Sequence, residues 1–71
     1  MKYEIAWSYI DEMIKHKKID VKHFCKRKGI SYGNFSRIIR EHADMKVSNL
    51  ILIAEMIKVE DINELFRRSD V

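Results

Sequence analysis

Seventy-one residues that are 46% apolar and 35% charged, with no proline, provide one small hydrophobic core and exclude a second. A lone cysteine, Cys25, excludes an internal disulfide; His16, His23 and His42 stand at no zinc-ligand spacing from it, and no run of about 18 apolar residues offers a membrane span. The net charge of +3 conceals a division: between Lys15 and Arg40 nine basic residues against Asp20 give +8, while the rest of the chain carries −5, so one region attracts polyanions and the remainder does not.

These bounds predict one domain over residues 1–71 in a reducing, cytoplasmic compartment, with no cofactor, no metal, no membrane and no small-molecule substrate as partner. Charges within the opening Met-Lys-Tyr-Glu-Ile-Ala-Trp break what would have to be a signal core. Two glycines and few strand-like alternations predict an all-α fold of five short helices. The first spans about Glu4 to Lys17, with Tyr3 and Trp7 leading into an apolar stripe at Ala6, Ile10, Met13 and Ile14. Asp20 is placed to cap the second, Val21 to Lys28, by accepting from the open amides of the first turn. Gly29 ends it in the left-handed conformation, and Ile30 packs back on the turn.

Ser31 caps the third helix, from about Tyr32 to Glu41, with Phe35, Ile38 and Ile39 turned inward. After a polar link, Ser48 is placed to cap a fourth whose residues, Asn-Leu-Ile-Leu-Ile-Ala-Glu-Met-Ile, are apolar almost all round and therefore central. A short fifth follows Asp61, with Glu64 completing a capping box and Ile62, Leu65 and Phe66 facing the core.

Residues 20–40 are the most specific segment. Two helices are joined by Gly-Ile-Ser; Phe24 and Cys25 lie where they meet, the cysteine small enough for close approach, and Phe35 and Ile38 anchor the second helix while its other face stays free. This segment resembles the helix-turn-helix of the Xre and Cro/C1 family of phage and bacterial regulators. The fourth and fifth helices resemble the family's as well, so the likeness covers nearly the whole chain and implies a compact lambda-repressor-like DNA-binding domain. It further implies that the third helix lies in the major groove of double-stranded DNA. Ser31, Tyr32, Asn34, Ser36, Arg37 and Arg40 are then the base-reading candidates, with Gly33 among them on the groove-facing surface. Asn34 suits adenine and Arg37 guanine. Lys22, Lys26, Arg27 and Lys28 become candidate phosphate contacts.

The chain departs from the family pattern at several positions. Val21 stands where many members carry glutamine, Lys58 where glycine is frequent, Lys28 at a site often partly buried, and the joint between the last two helices is one residue longer than usual. No acid and base are paired: Asp11 and Glu12 diverge on one helix, and Ser31, His42 and Asp44 form no nucleophile setting, so no enzyme is expected. The resulting expectation is a small sequence-specific regulator of Cro or repressor type, acting as a homodimer. The alternative is an antirepressor-like module that binds a partner repressor. Val21, Met45, Val47 and Val71, with Phe66, are the apolar candidates for a subunit contact.

Overall fold

The computed structural model describes residues 2–69, in the order β1 (Lys2–Ile5), α1 (Trp7–His16), α2 (Val21–Lys28), α3 (Tyr32–Glu41), α4 (Val47–Ile57), a 3-10 turn (Ile62–Leu65) and β2 (Phe66–Ser69). Every helix is short, so tertiary packing rather than helix propensity holds it. Ile10 of α1, Phe24 and Cys25 of α2, Phe35 of α3, Leu50, Ile53, Ala54, Met56 and Ile57 of α4, and Leu65 form one core. α4 supplies five of these buried residues, as its nearly continuous apolar run requires.

The predicted boundaries of α2 and α3 agree with the structure. Asp20 accepts from the His23 amide at 3.0 Å and Ser31 from the Asn34 amide at 3.3 Å, so each helix begins on its expected cap. At the end of α2, Gly29 lies at φ 71°, its amide donates to the Lys26 carbonyl, and the Ile30 amide donates to the Cys25 carbonyl at 3.0 Å. This pair of bonds closes a helix on a left-handed residue.

The five-helix expectation is corrected at both ends of the chain. Residues 2–5 pair antiparallel with 66–69, with Lys2 opposite Ser69 and Ile5 opposite Phe66. The Ala6 amide extends this ladder by donating to the Leu65 carbonyl at 2.8 Å. Helix α1 therefore starts at Trp7, and Tyr3 and Glu4 are strand residues. The expected fifth helix is a single 3-10 turn: Asp61 accepts from Asn63, the Glu64 amide bonds back to Asp61, and the chain leaves at once in extended conformation toward β1. Phe66, expected to face the core, is 37% exposed on β2, whereas Leu65 is fully buried. The alternation of Lys2 and Glu4 with Tyr3 and Ile5 was a period-two signal, but four residues are too few to outweigh the helical pattern that follows them. Helix α4 also begins two residues earlier than expected. Lys46 precedes it, its carbonyl takes the amides of both Asn49 and Leu50, and Ser48 is a helical residue rather than the cap.

All four helices run into a left-handed residue, and three of these are not glycine: Lys18, His42 and Lys58 have φ of 52°, 51° and 59°. A side chain there costs about 1 to 2 kcal/mol, offset in part because glycine loses more freedom on folding. Lys58, exposed at the end of α4, makes the same pair of closing bonds as Gly29. Lys58→Gly is therefore expected to stabilise the protein by about 1 kcal/mol and raise the thermal midpoint by about 4 °C. Thermal unfolding followed by circular dichroism checks this, and an unchanged or lowered midpoint contradicts it.

Candidate nucleic-acid interface

Helix α3 is held from both ends and from beneath. Beneath it, Phe35 (2% exposed) and Ile38 (4%) enter the core, and the Phe35 ring meets Phe24 of α2 at 6.0 Å between centroids. At its start lies the Gly29-Ile30-Ser31 turn. At its end His42, in the left-handed conformation, stacks flat on Trp7 of α1, 4.7 Å between ring centroids and 7° from parallel, while its Nε2 lies 2.7 Å from Asp11 Oδ2. Sequence reasoning gave His42 no role. It ties the end of α3 to α1 across 31 residues. No spacing signal could have found this contact, because the partners meet only once α1 and α3 are packed.

Rotation of about 100° per residue sorts the outer face of α3. Gly33 and Arg40 lie at its centre, Ser36 and Arg37 flank them, and Tyr32 and Asn34 sit at opposite margins. Tyr32, Asn34, Arg37 and Arg40 are exposed, and Ser36 is half-buried. A Cβ on Gly33 would meet nothing closer than Ser31 Oγ at 4.0 Å, so packing within the chain does not demand glycine there. Its effect is to leave the helix backbone open at the centre of this face.

Two base-reading candidates, Ser31 and Ser36, bond to the helix backbone, and two more, Asn34 and Arg37, bond to each other. Ser31 Oγ serves as the cap of α3, and the Ser36 hydroxyl donates to the Gly33 carbonyl at 3.3 Å. Arg37 is oriented along the helix: its Nη2 donates to Asn34 Oδ1 at 3.4 Å, and its Nη1 lies 3.9 Å from Glu41 Oε1. Glu41 and Asn34 stand at i+4 and i−3 from the arginine, a spacing visible in the sequence. The contacts leave Arg37 about half exposed, with side-chain exposure of 48%.

The basic region is thinned by internal pairing. Lys17 Nζ donates to the Ile57 carbonyl at 2.7 Å and so closes the last turn of α4. Lys28 Nζ lies 2.6 Å from Glu55 Oε1, which places the family's partly buried position in an α2–α4 ion pair. Both belong to the +8 segment: Glu55 offsets the charge of Lys28, whereas Lys17 keeps its charge but directs it at the end of α4. Of the phosphate candidates, Lys22 and Lys26 are exposed, as is Arg27, whose guanidinium lies 5.7 Å from the centroid of the Phe24 ring. Val21, half-buried, borders a small notch of about 180 Å³ with Tyr32, Ser36, Ile39 and Arg40. An apolar side chain thus lies at the junction of the two helices, at the position where the resembled family often has glutamine.

Cys25 is 1% exposed at the α2–α3 junction, and burial pushes its thiol above the usual range, which disfavours the reactive thiolate. Among the described residues no group of three or more His, Cys, Asp or Glu side chains is placed to hold a metal ion, and no helix is long and apolar enough to cross a membrane.

A family model described as the Cro/C1-type HTH DNA-binding domain matches residues 9–70. Neither the curated proteins nor the solved structures contain a match to the chain. The matched span begins at the third residue of α1, beyond β1, and takes in α2, α3 and α4 whole.

Proposed function

The chain belongs to the Cro/C1-type helix-turn-helix DNA-binding family, and from that premise we propose a small transcriptional regulator that reads operator DNA with α3 in the major groove. The observation that carries this reading is the outer face of α3: a rigidly anchored helix whose exposed polar side chains include Asn34, Arg37 and Arg40, with no side chain at Gly33 to keep DNA away from the backbone. Arg37 matches the two acceptors of guanine and Asn34 the donor and acceptor of adenine. Arg40 at the centre of the face and Tyr32 at its margin reach toward base edges or phosphates. Lys22, Lys26 and Arg27 on α2 supply phosphate contacts, while Lys28 contributes less because Glu55 already neutralises it. Ser31 and Ser36 act chiefly by shaping the helix start.

One recognition helix of this length binds weakly, so the proposal includes a symmetric dimer on two half-sites about one helical turn apart. Fluorescence anisotropy on fragments of the gene's own promoter region tests it: tight binding to one fragment over random DNA supports the reading, and equal affinity for both overturns it. Neutralisation of about four to six phosphates gives a plot of log affinity against log salt with a slope of roughly −4 to −5. A slope near zero would remove the phosphate contacts from the account. Recovery of a partner repressor from the native host, in the absence of specific DNA binding, would instead establish the antirepressor-like alternative.

A further inference from the structure

The two-stranded sheet has an edge that the fold leaves open. In an antiparallel ladder alternate residue pairs exchange hydrogen bonds, and the residues between them point their N–H and C=O groups outward. The bond from the Ala6 amide to the Leu65 carbonyl sets the phase. With the register Glu4 to Arg67 and Tyr3 to Arg68, Glu4 belongs to a bonded pair, and the backbone groups of Tyr3 and Ile5 face away from β2. The Phe66 amide obeys the same phase, since it turns from β1 and donates to the Asn63 carbonyl. Among the described residues no backbone bond covers the outward groups of Tyr3 or Ile5.

An exposed strand edge is a template for another strand. On β2 a copy of the same strand would set arginine against arginine, because Arg67 and Arg68 occupy its middle. On β1 the charges favour a copy. Antiparallel pairing centred on Tyr3 sets Tyr3 opposite Tyr3 and, on each side, Lys2 of one copy opposite Glu4 of the other, a carboxylate that within its own chain already takes the Arg67 guanidinium at 2.8 Å on one oxygen. A shift of two residues, the next one that keeps outward groups facing each other, would place Glu4 opposite Glu4 instead. Tyr3 is 69% exposed and with Phe66 and Asn63 borders an open hollow of about 460 Å³, so apolar surface adjoins the edge.

We propose that β1 is the surface through which two copies of this chain associate, forming a four-stranded antiparallel sheet in the order β2-β1-β1-β2 with its twofold axis at Tyr3. The proposal deepens the dimeric reading above by naming its interface. It also gives a role to a strand that the family match does not include.

Sedimentation equilibrium on the full chain tests it with three variants. Tyr3→Pro removes an outward amide that the inner ladder does not use, so circular dichroism is expected to stay native. Loss of the two central bonds is expected to weaken the dimer on the order of tenfold or more. Lys2→Glu sets like charges opposite each other and weakens it also. Ile51→Glu alters the exposed apolar residue of α4, 52% exposed, and is expected to leave the dimer intact. A wild-type monomer at high concentration, a dimer indifferent to Tyr3→Pro, or one lost only in Ile51→Glu overturns the proposal. Promoter binding measured in parallel separates the two readings: Tyr3→Pro sensitivity without specific DNA binding keeps the interface and rejects the DNA reading, whereas specific binding by a protein indifferent to Tyr3→Pro does the reverse.

Discussion

Arg37→Ala is expected to weaken binding to the promoter DNA by about tenfold or more for each half-site, without lowering the thermal midpoint appreciably. A bidentate arginine–guanine contact contributes about 1 to 3 kcal/mol of discrimination, and each 1.4 kcal/mol is a factor of about ten. The side chain is half exposed, and its internal partners, Asn34 and Glu41, lie on the same helix at 3.4 and 3.9 Å. Their loss changes folding stability little, because exposed pairs at this spacing contribute about 0.3 to 0.5 kcal/mol. Anisotropy titrations on promoter and random fragments separate two outcomes. Preferential loss on the promoter marks a base contact; equal loss on both reassigns Arg37 to the phosphates. Asn34→Ala is expected to act in the same direction, since it removes an adenine-reading amide and releases the arginine it orients.

Ile53→Ala is expected to lower the stability by about 2 to 5 kcal/mol, a large share of the total for a domain of this size. Ile53 is fully buried in the middle of α4 within the single core. Removing such a side chain costs about 2 to 5 kcal/mol, through lost transfer energy and the cavity left behind. A domain of this length has only about 4 to 11 kcal/mol of total stability. Urea unfolding followed by circular dichroism measures the change. A loss below about 1 kcal/mol would show that the core closes around the gap, contrary to the close packing of α4 against α1 and the C-terminal turn.

The helix-turn-helix was legible because its determinants are local. Asp20, Gly29 and Ser31 each act within about four residues of themselves, and the inward positions of Phe24, Cys25, Phe35 and Ile38 follow from helical spacing. The charge division was equally plain, yet the count could not show where two of its lysines go: Lys17 is directed at the end of α4 and Lys28 is paired with Glu55, contacts between residues 40 and 27 positions apart. The role of His42 was hidden for the same reason.

The ends of the chain show the limit most clearly. A hydrophobic pattern of four residues cannot distinguish strand from helix, and isolated strands of that length have nothing to hold them. Residues 2–5 and 66–69 become strands only because the packed helices bring them together, so that Ala6 bonds to Leu65 and Glu4 to Arg67, across 63 positions in the latter case. Caps, turns and buried faces came from short-range chemistry that any reader of the chain can apply. The sheet, the contacts of the two lysines and the Trp7–His42 stack came from partners that meet only after the core has formed, when the cost of closing those long loops has been met by burial of α4.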